Sequence, residues 1–320
     1  MRTPEENFVS WRDKTVAEIA TVAPAPSSPQ QTERHRIYCL GLMEMTLHYW
    51  NGNKYGRNFQ YPLNEPVPSE SPGKLADDYL GHNIAALIVD GNGLVIDFEF
   101  NHNEIMNSSV EHAESRLLRR VFGLAQIQDS WQLGTKFGDS RYGMLLRDAS
   151  LYTTLESCAQ CSGIMALALL KEVIFLQSDP GQYSIGNIMR NMTVGTDSQA
   201  PEPISADALG FPFFEKLNAA YECFAARPET VENAMILTRD GKLTSGSATK
   251  SITSFLCTKA ARDIYVDAAA AFARLDLQYP DWKPGPPDSP NLTNAKALEE
   301  VRQFVQYATI QGRRGTPHRV

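Results

Sequence analysis

Between residues 83 and 177 the chain alternates apolar runs with turn and helix signals, in an order that few architectures accommodate. Residues 83–89 (NIAALIV) are an apolar run. Asp90-Gly91-Asn92-Gly93 is a turn, and residues 94–100 (LVIDFEF) are a second β-rich run, so the stretch predicts a hairpin. Residues 109–124 have helical spacing. Leu117, Leu118, Val121 and Phe122 share one side, and Arg116, Arg119 and Arg120 leave it as a solvated group. A strand follows at 149–155, a helix at 158–170 and a short strand at 173–177, closed by Asp179-Pro180-Gly181. This order predicts an α/β fold, a three-layer α/β/α sandwich. A fifth strand is expected at 252–256 after a helical connection, which makes a central mixed five-stranded sheet.

The flanks are more ordinary. Residues 21–30 are rich in Pro, Ala and Ser and predict a linker. Ile37, Leu40, Met43, Leu47 and Trp50 repeat at three- and four-residue spacing and predict an amphipathic helix, stopped by Asn51-Gly52-Asn53. Residues 53–80 predict a long loop and 128–143 a turn-rich segment carrying Trp131, Lys136 and Arg141. Helices are expected at 213–224, 259–275 and 295–307, before a basic end from Arg313 to Arg319. The expected organisation is an N-terminal segment and linker over 1–34 and a catalytic domain over 35–275 with an insertion around 182–250. A loop, helix and basic tail follow over 276–320.

Of 320 residues, 42% are hydrophobic and 21% charged, as in ordinary globular proteins. The five cysteines do not form a disulfide framework; a reducing compartment fits them best. Cys39, Cys223 and Cys257 sit among apolar neighbours and are expected in the core, as is the run Phe211-Pro212-Phe213-Phe214. No apolar run reaches membrane-spanning length, and the N-terminus lacks a charged-then-apolar signal pattern, so a cytoplasmic protein without a membrane partner is expected. A net charge of −7 disfavours a surface that grips nucleic acid everywhere, though not a local basic groove.

Two short motifs carry chemistry. His112-Ala113-Glu114 opens one expected helix, and Cys158-Ala159-Gln160-Cys161 lies at a strand-to-helix junction. Alone, CxxC also fits a redox dithiol or a structural half-site, and HAE is a short match. Together, one imidazole and two thiolates can hold zinc, and three protein ligands leave the fourth tetrahedral position to water, whose pKa zinc lowers to about 7. Cysteines three apart face one way on a helix, whose N-terminus favours thiolate. Glu114, two residues past the histidine, is close to the metal without binding it, where a proton shuttle belongs.

H-x-E followed by P-C-x-x-C is the pattern of the zinc nucleobase deaminases, and the chain matches it in all but the proline. Leu151-Tyr152-Thr153-Thr154-Leu155-Glu156-Ser157-Cys158 and the following Ala159-Gln160-Cys161-Ser162-Gly163 resemble the strand and zinc-helix segment of tRNA adenosine deaminases and bacterial guanine deaminases. The resemblance covers residues 83–180 and is weak outside them. It implies a cytidine-deaminase-like fold in the cytidine/deoxycytidylate deaminase superfamily, with Zn2+ held by His112, Cys158 and Cys161 and Glu114 as the catalytic residue. It also implies a substrate contact from Asn101, at the end of the second strand, with ordinary turn chemistry at Asn101-His102-Asn103 as the lesser alternative. The family's proline before the first cysteine is Ser157 here. Serine is a good N-cap, so it is expected to start the helix and to alter the substrate-side rim.

The expected activity is hydrolytic removal of the exocyclic amine of adenine or cytosine in tRNA or single-stranded nucleic acid. A free nucleotide, nucleoside or base is the alternative, and a homo-oligomer is compatible with either. The non-catalytic rival is a zinc-binding subunit without turnover, and the intact Glu114 argues against it. A deaminase toxin is a further rival, opposed by long segments on both sides of the motifs.

Overall fold

The computed structural model describes residues 3–21, 27–50, 82–106, 108–131, 145–226, 234–237, 243–246 and 251–311. The expected loop at 53–80, the stop at 51–53, Lys136, Arg141 and the basic tail lie outside the described residues.

The hairpin forms as its pattern demands. β1 (Ala85–Val89) pairs antiparallel with β2 (Val95–Phe100), with a register shift at Ile88/Val89. The turn between them is held by Asp90, whose Oδ1 accepts the N–H groups of Asn92 and Leu94 at 2.9 and 2.8 Å. β3 (Ser150–Thr153) pairs antiparallel with β1, then β4 (Glu172–Phe175) and β5 (Glu202–Ser205) add in parallel. Among the described residues the main sheet is five-stranded and mixed, in the order β2-β1-β3-β4-β5.

The fifth strand is not where the sequence suggested. Residues 252–256 hold a short helix (Ile252–Phe255) capped by Ser251, whose hydroxyl accepts the Ser254 N–H at 3.3 Å. Serine and threonine side chains there bond locally to backbone and to one another, and that favours a helix start over a strand. The true fifth strand, Glu-Pro-Ile-Ser, lies inside the stretch read as an insertion. It is four residues long, and its Pro203 is tolerable because β5 is an edge strand.

Period-2 alternation sends each strand's side chains to two cores. Ala85, Leu87, Val89, Phe98, Phe100, Tyr152 and Ile174 face one of them, and Ala86, Ile88, Leu151 and Val173 the other. The elements of the helical layers, in chain order, are α1 (Pro4–Trp11), α2 (Val16–Ala20), α3 (Pro29–His48), α4 (Asn103–Met106), α5 (Ala113–Trp131) and α6 (Ala159–Leu167). They continue with α7 (Ile185–Thr193), α8 (Pro212–Ala225), α9 (Ile252–Phe255), α10 (Lys259–Ala273) and α11 (Asn294–Gln311). A separate two-stranded ribbon joins β6 (Ala234–Leu237) and β7 (Leu243–Gly246). α5 and α6 cover one face of the main sheet; α3 and α8 to α11 contribute to the core on the other. No described helix is long and apolar enough to cross a membrane.

α3 departs from its amphipathic pattern. It is enclosed between the sheet and α10 and α11, so even Arg34, His35 and Thr46 are buried. The polar groups are satisfied in place: Arg34 donates to the Leu292 and Asn92 carbonyls at 2.8 and 3.3 Å, and Tyr38 donates to Gly93 O at 2.7 Å.

Of the α5 arginines, Arg116 and Arg120 are drawn into the structure, and Arg119 keeps the expected solvent exposure. β2 turns Asp97 and Glu99 toward α5, where an apolar strand face would otherwise be expected. Arg120 pairs with Asp97 at 2.6 Å and also with Glu99 and the Phe98 carbonyl, and Arg116 and Arg119 bind Glu111 at 2.8 and 2.7 Å. Cys39 and Cys257 are buried as expected, whereas Cys223 is exposed. Phe213, Leu217 and Phe224 mark the buried side of α8, and Cys223 is turned off it by one residue. Phe211 and Phe213 are buried as expected and Phe214 packs against that core from a partly buried position, whereas Pro212 is exposed.

Candidate metal centre

The site forms where β3 and β4 end and the N-termini of α5 and α6 begin. Cys158 is the N-cap of α6, with extended backbone (φ −72°, ψ 174°), and its carbonyl accepts the Ser162 N–H at 2.9 Å. Cys161 lies in the first turn and is fully buried. The expected capping role of Ser157 is therefore taken one residue later, by a cysteine whose side chain makes no capping bond. His112 stands at the threshold of α5, its carbonyl accepting the Arg116 N–H at 3.0 Å. Ser115 Oγ donates to the carbonyls of Val110 and His112 at 2.9 and 3.0 Å, and Gln160 Nε2 donates to Val110 O at 2.9 Å. These bonds fasten the approach to α5 onto the start of α6.

The two motifs, 46 residues apart in sequence, converge. His112 Nδ1 lies 3.3 Å from Cys158 Sγ and 3.6 Å from Cys161 Sγ. The three donor atoms lie within 4.8 Å of one another. Zinc–nitrogen and zinc–sulfur bonds at a tetrahedral angle place such atoms about 3.5–3.8 Å apart, so the donor set fits zinc in both chemistry and spacing. Nδ1 is the imidazole atom that faces the sulfurs.

Glu114 is buried, 3% exposed, beside this cluster. Ser157 Oγ donates to its Oε1 at 3.0 Å, and Thr153 Oγ1 is 3.4 Å from the same oxygen. Its Oε2 lies 3.4 Å from Cys161 Sγ. Burial pushes the Glu114 carboxyl above its ordinary range. Hydrogen bonding from Cys161, then from His112, brings Cys158 down to about 4, a thiolate at neutral pH. The bond to Cys158 and burial hold the Cys161 thiol well above its usual value. His112 is raised, chiefly by its bond to Cys158. The cluster thus already orders negative charge on sulfur.

Asn101 is tied into its own turn. It is 3% exposed and extends the hairpin, its N–H donating to Ile84 O at 2.9 Å. Its Oδ1 accepts the Asn103 N–H at 3.0 Å, so the carboxamide oxygen is engaged in turn chemistry at the start of α4. Among the described residues none of its hydrogen bonds reaches His112, Glu114 or the cysteines. The link is through backbone: His102 N donates to Glu111 O at 2.8 Å, tying the end of β2 to the residue before His112.

Two side chains escaped sequence reasoning. Thr153 faces Glu114 because it lies two residues along β3 from Leu151, on the same face; strand alternation was the signal for it. Asp179 follows β4 and acts electrostatically on Cys158 and His112, with burial raising its carboxyl. The Glu156 carboxylate accepts its N–H at 3.1 Å, so the loops after β3 and β4 brace each other. Only the strand-end position after β4 marked it in the sequence.

A five-stranded mixed sheet between helical layers, with a His/Cys/Cys cluster where its central strands end, defines the cytidine-deaminase-like class of α/β proteins. Residues 72–177, about a third of the chain, match the family described as the cytidine and deoxycytidylate deaminase zinc-binding region. That region belongs to the cytidine/deoxycytidylate deaminase superfamily. Among solved structures the chain is similar to a tRNA:A34 deaminase that carries out A-to-I editing at the wobble position (23% identity, 38% of this chain and 82% of that chain, TM-score 0.27). It is also similar to the guanine deaminase of Bacillus subtilis (24%, 33% and 57%, TM-score 0.26). A third is the guanine deaminase of Nitrosomonas europaea (17%, 40% and 70%, TM-score 0.26). No curated protein matches the chain.

Proposed function

We propose that this chain is a zinc-dependent hydrolytic deaminase that removes the exocyclic amine of a nucleobase, with His112, Cys158 and Cys161 as metal ligands and Glu114 as proton shuttle. The observation that carries the reading is a buried glutamate, 3% exposed, held against a zinc-fitting N/S/S cluster. A site built only to hold structural metal has no use for such a carboxylate. Zinc, when bound by the three donors, supplies a Lewis acid that makes water a nucleophile at neutral pH. Glu114 takes the proton from the attacking water and passes it to the ring nitrogen. A second proton then reaches the amine through the same carboxylate as the C–N bond breaks, so that ammonia leaves and a carbonyl remains. Thr153 and Ser157 surround Glu114 Oε1, and the chain around it excludes bulk water.

The first substrate to test is adenine or cytosine in tRNA or single-stranded nucleic acid, which the Leu151–Cys158 resemblance to tRNA adenosine deaminases favours. Free nucleotides, nucleosides and bases, guanine included, are the competing outcome. Ammonia release is measured over all these classes with and without a chelator, alongside Glu114→Gln, which is expected to keep zinc and lose turnover. Full turnover by that variant refutes the shuttle role. Binding of an RNA stem-loop is titrated with salt, because affinity for a polynucleotide falls steeply as salt rises. Turnover confined to monomeric substrates, with no salt-dependent RNA binding, refutes the polynucleotide reading.

A further inference from the structure

We propose that the Ser157 hydroxyl is a positioning group that tethers one oxygen of Glu114 and leaves the other to move protons. The inference rests on the shuttle role of Glu114 given above. Ser157 Oγ lies 3.0 Å from Oε1, and both residues are buried, at 6% and 3% exposure. An ionised carboxylate only accepts, so the hydroxyl is the donor. Among the described residues this is the one hydrogen bond of the Ser157 side chain. Thr153 Oγ1 is farther from Oε1, at 3.4 Å, and has a closer acceptor in the Leu155 carbonyl at 3.1 Å. Ser157 therefore supplies the proton that Oε1 accepts, and Thr153 packs beside it.

The two carboxylate oxygens consequently differ. Oε1 is anchored toward the loop after β3. Oε2 accepts from Cys161 Sγ at 3.4 Å, on the side of the donor cluster, a bond that ends when Cys161 binds metal as a thiolate. A freely rotating carboxylate would present either oxygen, in several poses, to a reacting proton. The tether selects one, and misplacement of a reacting group by about 1 Å is enough to lower turnover by about 100-fold. The residue preceding the first cysteine is proline in the resembling family, and proline has no hydroxyl to offer. This chain thus holds its glutamate with a contact that the family pattern lacks.

The test is an infrared difference spectrum of the zinc-loaded protein. Subtracting Glu114→Gln from the parent isolates the carboxylate stretch of Glu114 in the wild-type and Ser157→Ala backgrounds. Losing a hydrogen bond is expected to shift that band in Ser157→Ala and leave zinc content at one per chain; Ser157→Thr, which keeps the hydroxyl, is expected to restore it. On the substrate found active by ammonia release, kcat of Ser157→Ala is expected to fall about 10- to 100-fold, with KM within about threefold of wild type. An unshifted band overturns the tether. A shifted band with unchanged kcat overturns the positioning role, and so does a loss that Ser157→Thr does not restore. Full turnover by Glu114→Gln would instead refute the shuttle reading, whatever the band shows.

Discussion

Acidification from pH 7 to pH 4 is expected to destabilise this protein through His35, by an amount that can be worked from its surroundings. His35 lies in α3, 1% exposed, between the sheet and the C-terminal helices. The Gln31 amide lies 3.0 Å from Nε2 and donates to it, so Nδ1 carries the proton and bonds to the Tyr152 hydroxyl at 2.9 Å. A second ring proton would meet the Gln31 N–H head-on and would be buried without solvent. Burial accordingly lowers the His35 pKa to about 4, against about 6.5 in an unfolded chain. Between those values the unfolded chain binds a proton that the folded one refuses. Stability is therefore fully present above pH 6.5 and is lost as pH falls toward 4, by up to about 3 kcal/mol. That is a large share of the roughly 5–15 kcal/mol that holds a domain folded. The assay is urea denaturation from pH 7 to 4 on the wild type and His35→Gln. Other groups that titrate in this range, the metal ligands included, are common to both and cancel in the difference. The stability gap between the two proteins should change by about 3 kcal/mol over that range, with the wild type losing more. Parallel curves would refute the reasoning.

Replacing Cys158 with serine or His112 with alanine removes one of three donors and should weaken zinc binding by about 100-fold or more, beyond the 10- to 100-fold typical of supporting residues; competition with a chromophoric chelator measures it, and unchanged affinity would strike either residue from the ligand set. Gly41→Ala should destabilise the fold by about 1–3 kcal/mol even though alanine is the better helix former. A Cβ there collides with Cγ1 of the fully buried Val301, where α11 crosses α3. Val301→Ala added to it should recover part of the loss, and a more stable single variant, by thermal melt, would contradict the close approach.

The elements that were legible in the sequence are those whose signals are local. The hairpin shows because Asp90 and two glycines interrupt two apolar runs, and β3, β4, α5, α8, α10 and α11 show through spacing alone. β5 did not, because four residues containing a proline carry no β signal; its place is set by pairing with β4. The enclosure of α3 was also hidden. Its apolar spacing is that of a one-faced helix, and only the return of α10 and α11 from the far end of the chain buries the rest. Arg116 and Arg120 likewise looked solvated, since their partners Asp97 and Glu99 lie on another element.

At the site the division follows the same physical line. His112, Glu114, Cys158 and Cys161 are recognisable as a set because metal and proton chemistry restricts residue type, and helix geometry restricts spacing within each motif. That two distant motifs close to 3.3 Å, that Cys158 rather than Ser157 caps α6, and that Asn101 spends its carboxamide oxygen on a turn are decided by packing. So is the contact of Ser157 with one oxygen of Glu114. Short motifs encode which atoms can do chemistry. Where those atoms point depends on the sheet that brings the ends of β3 and β4 beside the starts of α5 and α6, and no local pattern records that.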